Sequence, residues 1–496
     1  MEKGMSPTSQ FVQPKDEEYK LEESGKRRKI LKDDEHMVVE DRISKLPDQV
    51  IVSIVSLLPL KEAAATSLLS RRWRYFWSST MTLNLEAVNF EDRKTLSYFY
   101  QLDDDIREQK GHEYVNWVNH VLEQHRGQSI ERFRVIFFLD NDFTSSIDKW
   151  VQFAMEKRVQ VLELDLLTAW GGFNDDDYTF PYKLLGLEKG SASTHQFSVI
   201  PSLSSGGYYN NIGFKSLKVI RFQHVGVTGE LVEFFLSNCP LLERLSLTFA
   251  KDLVNLRVVG PSIALKYLEI KYCQRLRNIE ICDANIVSFI YCGGLISLHL
   301  KNVPLLVDVT YYKWNIYAEF TRLVFNQLSP CLSHIEILKL DIRGAVYNQN
   351  HVLPILANLK HLQLLVDADN CWSLARLASF MKAAPYMQRL VLGLGFGISS
   401  VESAKIEKAA KCAHYYLKEV EISGYRGHKC CVKHVMYLKK NALALEKIVI
   451  NLVRFWCAPT GYECNVLAVN EEENARDHAT QYLKQKMPST IEYVCL

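Results

Sequence analysis

No cysteine occurs before Cys239, and the 12 from it onward form no CxxC pair and no regular spacing. That distribution builds no disulfide framework and reads as reduced, intracellular thiols in a core. Long apolar runs are also missing. None approaches the ~18 residues that a membrane-spanning helix requires. No signal peptide opens the chain, so the expected location is the nucleus and/or the cytoplasm. Charge of one sign is lacking too, with 59 Lys and Arg against 57 Asp and Glu. A net charge of +2 over 496 residues leaves no electrostatic footprint for nucleic acid or a membrane surface.

Catalytic signatures are equally scarce. The chain contains no G-x-x-x-x-G-K-[ST], H-E-x-x-H or G-x-S-x-G. Gly393, Gly395 and Gly397 alternate without a dinucleotide fingerprint around them. His428, Cys430, Cys431 and His434 lie close together, but adjacent cysteines on a helix point about 100° apart and chelate one metal poorly. The runs Asp103–Asp105 and Asp175–Asp177 lack the interleaved spacing and glycine of a calcium loop. No metal and no cofactor is expected, and no catalytic residue is assigned.

What is present begins at Asp41–Trp77. Leu46, Val50, Ile51, Ile54 and Leu57 recur at three- and four-residue steps, which makes one apolar helical stripe. Pro47 suits the first helical position, and Asp48 suits the positive end of the dipole. Pro59 breaks the pattern. A second helix follows from about Lys61, with Ala63, Ala64, Ser67 and Leu68 on a small-residue face. Ser70 is placed to cap a third, which carries Trp73, Phe76 and Trp77. Three helices this short cannot bury Leu46, Ile54, Leu57, Leu69, Trp73, Phe76 and Trp77 against one another. The remainder serves either as part of a larger core or as a docking face for another protein's helices.

The order Leu46-Pro47, Leu57, Leu58-Pro59, Lys61-Glu62, Ser67, Leu69-Ser70 and Arg72-Trp73-Arg74 resembles an F-box. Val50 and Ile51 stand where that family more often has leucines, a departure that leaves the stripe intact. The resemblance implies docking on a Skp-type adaptor, and through it on cullin and RING subunits. The residues it implicates are Leu46, Pro47, Val50, Ile51, Ile54, Leu57, Leu58, Pro59, Leu69, Trp73 and Trp77.

The flanks divide readily. Residues 1–40 are charged and have little to bury, which predicts a disordered tail. Within them, Lys26-Arg27-Arg28-Lys29 is either a nuclear import signal or a solvated basic cluster. The F-box spans 41–80. Residues 81–132 read as a helical linker, with Tyr114, Val115, Val118, Val121 and Leu122 at helical spacing.

From residue 133 an apolar-x-x-apolar-x-apolar pattern recurs. It runs through Phe133/Ile136/Phe138, Val159/Leu162/Leu164, Leu217/Ile220/Phe222, Leu242/Leu245/Leu247 and Leu265/Leu268/Ile270. It continues at Leu295/Leu298/Leu300, Phe320/Leu323/Phe325, Ile335/Leu338/Leu340, Leu359/Leu362/Leu364 and Met387/Leu390/Leu392, ending at Leu417/Val420/Ile422 and Leu445/Ile448/Ile450. A period of roughly 20–30 with this core predicts leucine-rich repeats, each unable to bury its apolar face alone. The 320-to-335 interval is short, and a Gly-, Asp- and Ser-rich loop at 171–213 interrupts the stack.

The segments 150–166 and 225–247 resemble the repeats of plant F-box proteins. Leu417–Tyr425, followed by Asn441-Ala442 and Leu445–Ile448, is similar to that family's C-terminal FBD region. The expected fold is therefore α/β: a three-helix F-box, then an irregular leucine-rich-repeat solenoid with a curved parallel sheet and helices or loops on its convex side. Repeats occupy 133–410, an FBD-like part 411–455 and a C-terminal tail 456–496. The tail's polar stretch Glu471–Lys486 is expected on the surface.

Strand alternation places the residue between the last two apolar positions on the concave face. The candidates for contact with a target are Glu163, Arg221, Glu269, His299, Lys339, Gln363 and Glu421, together with Ser246, Ser297, Val324, Ile337, Val391 and Val449. Their mixed character suits a protein partner better than a polyanion. The expected function is that of a non-catalytic substrate receptor of an SCF-type ubiquitin ligase, holding an unknown target protein. The alternatives are a small-molecule-gated receptor of the same class, with Arg221, His299 and Lys339 as anion contacts, and a repeat-based scaffold without a ligase role.

Overall fold

The computed structural model describes residues 43–86, 93–167, 177–185, 187–189, 197–199, 214–313, 319–344, 352–368, 373–395, 411–453 and 467–496. The expected tail 1–40, the cluster Lys26–Lys29, most of the expected 171–213 loop and residues 454–466 lie outside them. The chain forms two compact units. One comprises residues up to Thr80 together with Asp103–Arg126; the other comprises Met81–Leu102 together with Gly127–Leu496.

The first unit is helical. Pro47 and Pro59 stand immediately before α1 (Asp48–Val55) and α2 (Leu60–Ala65), where a missing N–H costs nothing. The Pro47 carbonyl accepts from the N–H groups of Val50 and Ile51 at 3.0 and 3.1 Å. The third segment is a 3-10 helix, Trp73–Ser79, and Ser70 joins it through its carbonyl rather than as a side-chain cap. The next helix in the chain, α3 (Arg93–Tyr100), belongs to the second unit. Then α4 (Asp104–Gln124) returns to the first and buries Tyr114, Val115, Val118, Val121 and Leu122, the positions that its spacing predicts.

In the second unit 14 parallel strands form one sheet. They open with β1 (Thr82–Glu86), β2 (Arg132–Phe138) and β3 (Val161–Leu167). A short antiparallel pair follows, β4 (Leu187–Lys189) with β5 (Phe197–Val199). The sheet resumes with β6 (Val219–Gln223) and β7 (Arg244–Thr248). From there two arrays interleave. A second sheet takes β8 (Asn255–Val259), β10 (Asn278–Cys282) and β12 (Ser297–Lys301). The main sheet takes β9 (Tyr267–Lys271), β11 (Ser288–Gly293) and β13 (Asp308–Lys313). It then runs through β14 (Ile337–Asp341), β15 (His361–Asp367), β16 (Arg389–Gly395), β17 (Glu419–Ser423), β18 (Lys447–Asn451) and β19 (Glu492–Cys495).

Alternate residues explain the stacking. The row Leu162, Ile220, Leu245, Leu268, Phe289, Val309, Leu338, Leu362, Leu390, Val420 and Ile448 is at most 1% exposed. Adjacent members pair in register. Each fully buried aliphatic side chain contributes roughly 1.5–3 kcal/mol. The helix Gly229–Asn238 adjoins β8 in the layer behind the sheet, and Phe320–Leu328 adjoins β12. At Gly229 an added Cβ would meet the Asn255 carbonyl oxygen at 2.0 Å. Only glycine permits that approach between helix and strand.

Five non-glycine residues that directly follow strands, His224, Phe249, Tyr272, Asp283 and Asn302, have φ of 49–56°. Their side chains hold the corners. His224 stacks on Phe249 at 4.4 Å, and Phe249 on Tyr272 at 5.2 Å.

Several expectations need correction. Residues 81–132 are not wholly helical, because Thr82–Glu86 pairs with β2 as the first strand. Phe320–Phe325 lies in a helix, which accounts for the short 320-to-335 interval. Leu295–Leu300 leads into the second sheet, not the main one. In β2 the inward positions are Phe133, Val135 and Phe137, so Ile136 and Phe138 face the other way. The 411–455 region runs strand, helix, strand: β17, the helix Lys429–Asn441 and β18. The stretch Glu471–Lys486 does lie on the surface, anchored by the buried Ala475, Ala479 and Leu483, and β19 then pairs with β18.

Candidate functional site

Two surfaces carry the expected site residues, one on each unit. In the helical unit Ile51, Val55, Ala63 and Trp73 form a core, with Leu46, Phe76 and Trp77 packed against it. Trp73 meets Phe76 edge-on at 5.9 Å. The expected docking set therefore divides. Ile51 and Trp73, at 0% and 5% exposure, are spent on the unit's own interior and offer no surface. Leu46 and Trp77 are half-buried. Pro47, Val50, Ile54, Leu57, Leu58, Pro59 and Leu69 remain exposed. Leu57 reaches 85% exposure and Leu69 69%. Leu68, which the helical pattern assigns to the second helix's small-residue face, is 88% exposed. The chain tightens to a 3-10 turn at Thr66–Leu68, and that change of twist sends both leucines outward. Much of the unit's apolar surface is thus left in water, the kind of surface that protein partners cover.

On the second unit the open face of the main sheet displays one continuous register row. It runs Asn84, Arg134, Glu163, Arg221, Ser246, Glu269, Ile290, Thr310, Lys339, Gln363, Val391, Glu421 and Val449. Six of the seven named target-contact candidates fall in it. His299 does not: it sits on β12 in the second sheet, opposite Glu280. Ser297 shares that strand, and Val324 is buried inside a helix. Ile337 lies on the open face one row away. Sequence reasoning missed Arg134, Ile290 and Thr310, since β2 was read out of frame and β11 and β13 carry tyrosine where leucine was sought. The triplets Ile286/Phe289/Tyr291 and Leu306/Val309/Tyr311 hold that signal.

The row is charged at one end. Glu163, 6% exposed, lies 3.5 Å from the Arg134 guanidinium and 3.3 Å from that of Arg221. Arg134 also reaches Glu86 at 3.6 Å. Burial pushes the neighbouring Asp165 carboxyl up to about 7; Arg134 and Arg221 oppose the shift, while Glu86 and Glu163 add to it. Further along, Ser246 donates to Glu269 at 2.7 Å, and Lys271 pairs with the same carboxylate. Burial alone would raise the Glu269 carboxyl, but Lys271, Ser246 and Arg221 together hold it below its usual range. Arg389 ties Glu419 to Glu421 at 3.2 and 3.1 Å.

Burial pushes the thiols of Cys239, Cys273 and Cys331 up to about 12, which keeps them protonated and unreactive. His434 is buried with Nδ1 2.8 Å from the Cys430 carbonyl oxygen. Among the described residues no three His, Cys, Asp or Glu side chains are placed to share a metal ion. Among them also, no helix is long and apolar enough to cross a membrane.

Comparison with known proteins agrees with this geometry. Residues 43–83 match the F-box domain, and residues 121–496, about three quarters of the chain, match the family described as At1g61320/AtMIF1, LRR domain. The chain is 26% identical over 441 residues to the F-box/FBD/LRR-repeat protein At5g22700 of Arabidopsis thaliana, covering 82% of this chain and 92% of that one. It is 23% identical over 443 residues to the Arabidopsis thaliana F-box/FBD/LRR-repeat protein At5g22660, covering 82% and 89%. Against the putative FBD-associated F-box protein At5g22720 of the same plant it is 24% identical over 469 residues, covering 83% and 88%. The helical unit thus falls in the F-box match and the stacked parallel sheet largely in the LRR match, and the chain belongs to the plant F-box proteins with an LRR domain of the At1g61320/AtMIF1 family.

Proposed function

We propose that this F-box protein is the substrate receptor of an SCF-type ubiquitin ligase. Its helical unit docks on a Skp-type adaptor, and through that adaptor joins cullin and RING subunits. The open face of the repeat sheet holds a target protein. The observation that carries the reading is the exposure of Leu57, Leu68 and Leu69, with Val50, Ile54 and Leu58, beside a core of Ile51, Val55, Ala63 and Trp73. Burying each such leucine against a partner contributes roughly 1.5–3 kcal/mol, so a few suffice for a tight complex.

The mechanism asks no bond chemistry of the receptor. Holding a target beside a charged conjugating enzyme raises its effective concentration near the reactive thioester. The receptor's own contribution is geometry: one apolar handle for the adaptor and one polar face for the client. This activity is placed in the nucleus or cytoplasm. The test is co-purification of a purified Skp-type adaptor with the full chain and with Leu57→Ser/Leu69→Ser. Loss of adaptor with unchanged melting supports the reading. Undiminished adaptor capture by the double variant refutes it.

A further inference from the structure

The centre of the open face, over β13, β14 and β15, differs from its charged end. Asp308, Ile337 and His361 are neighbours in one register row, and Thr310, Lys339 and Gln363 in the next. Neighbours in such a row stand about 5 Å apart. Thr310 is 4% exposed and Gln363 8%. Three buried polar atoms here lack a hydrogen-bond partner among the described residues: Asp308 Oδ1, Thr310 Oγ1 and His361 Nε2. Asp308 is fixed by Ser288, whose hydroxyl donates to its other oxygen at 3.2 Å. Burial, aided by Arg389 and Lys339, holds His361 below its ordinary range, so its imidazole is neutral at neutral pH. Lys339 forms no ion pair among the described residues, although it stands between these strands.

A buried donor or acceptor left without a partner is unfavourable, so three on adjoining strands point to a missing occupant. Charge selects its class. An anion satisfying Lys339 would lie against the Asp308 carboxylate, and a cation satisfying Asp308 would lie against the Lys339 ammonium. A neutral group carrying donors and an acceptor side by side meets both. A primary carboxamide does so: its N–H groups suit Asp308 Oδ1 and Thr310 Oγ1 on one strand, and its carbonyl suits the Lys339 ammonium on the next.

We propose that this part of the open face is a pocket for a carboxamide, the side chain of an asparagine or glutamine presented by a client segment. The pocket rests on the reading of this face as the client-binding face. Client recognition then combines a charged anchor over β1–β6 with a neutral, hydrogen-bond-coded position over β13–β15.

The experiment uses the full chain with isotope-labelled threonine methyls, the Thr310 signal being identified by its loss in Thr310→Val. The probes are N-acetyl-glutamine methylamide, propionate and ethylammonium. The Thr310 methyl is expected to shift saturably with the carboxamide and to respond to either ion roughly tenfold more weakly, the ratio set by one lost hydrogen bond. Lys339→Met, in which the Thr310 signal stays observable, is expected to abolish the response. An equal or stronger response to propionate or ethylammonium overturns the carboxamide assignment. So does silence with all three probes. If the carboxamide binds but Thr310→Val captures the same clients as the parent in adaptor complexes, the pocket stands and the client-face reading falls.

Discussion

Arg72 closes the helical unit onto its own beginning, with Nη2 2.7 Å from the Asp48 carboxylate and 2.6 Å from the Leu46 carbonyl oxygen. The Arg72 side chain is 39% exposed and that of Asp48 70%, so solvent screens the pair and it is worth little by itself. The carbonyl contact adds to it, because it pins the chain entering α1. Arg72→Ala is expected to destabilise the unit by about 1 kcal/mol and Asp48→Ala by about half that. Hydrogen exchange of the α1 amides measures both. Equal effects would show that the carbonyl contact contributes nothing.

The division between Leu57 and Ile51 makes a sharper expectation. Leu57→Ser and Leu69→Ser alter exposed side chains and should shift stability by no more than about 0.5 kcal/mol. Ile51→Ala opens a cavity beside Trp73 and should cost about 2–5 kcal/mol. Thermal melts followed by tryptophan fluorescence distinguish the two classes. A large destabilisation from Leu57→Ser would mean that this leucine is packed.

Asp165 and His434 impose opposite pH dependences. The native Asp165 carboxyl, raised from 3.8 to about 7 chiefly by burial, keeps a proton that the unfolded chain has released. Stability is therefore lost as pH rises across that window. Asp165→Asn removes the loss: parent and variant should match near pH 4, and the variant should be more stable by roughly 1–3 kcal/mol near pH 8. His434 is lowered by burial from 6.5 to about 4. The unfolded chain takes up its proton first as pH falls, so its contribution is present above 6.5 and lost toward 4. Chemical unfolding across this range checks both signs, and a pH-independent difference between Asp165→Asn and the parent would contradict the raised carboxyl.

Gly229 tests the backing layer. Its missing Cβ would overlap the Asn255 carbonyl oxygen, a backbone atom that cannot rotate away. Gly229→Ala, helpful in an ordinary helix, should here destabilise by about 2 kcal/mol or more. A stabilised variant, measured by denaturant unfolding, would show that the helix slides freely over β8.

The sequence made the F-box stripe and the repeat legible because both rest on local periodicity. Leu245/Leu247 and Leu298/Leu300 show where it stops. Strands in either sheet bury alternate residues, so the same local pattern serves two different arrays. Spacing carried the missing information. From Leu268 to Phe289 is 289 − 268 = 21 residues, and from Phe289 to Val309 is 309 − 289 = 20, too few to hold a backing helix. Phe320–Phe325 misled for the converse reason, since a helix also places apolar residues three and five apart when most of its faces are buried. In the F-box, apolarity identified the right stretch but could not tell Trp73, turned inward, from Leu69, turned out. That choice is made by the 3-10 segments on either side, Thr66–Leu68 and Trp73–Ser79.

The stacked rings at the strand corners bear on how this solenoid tolerates change. Glycine adopts their backbone conformation freely, as Gly424 does at φ 73°. At His224, Phe249 and Tyr272 the same geometry strains an L-residue by roughly 1 kcal/mol each, and ring contact with the adjacent coil must outweigh it. The pitch of successive coils is thereby written in side chains. A smaller ring at one corner lets its neighbours relax as well, so drift at these positions spreads along the array, whereas drift on the open face stays where it arises.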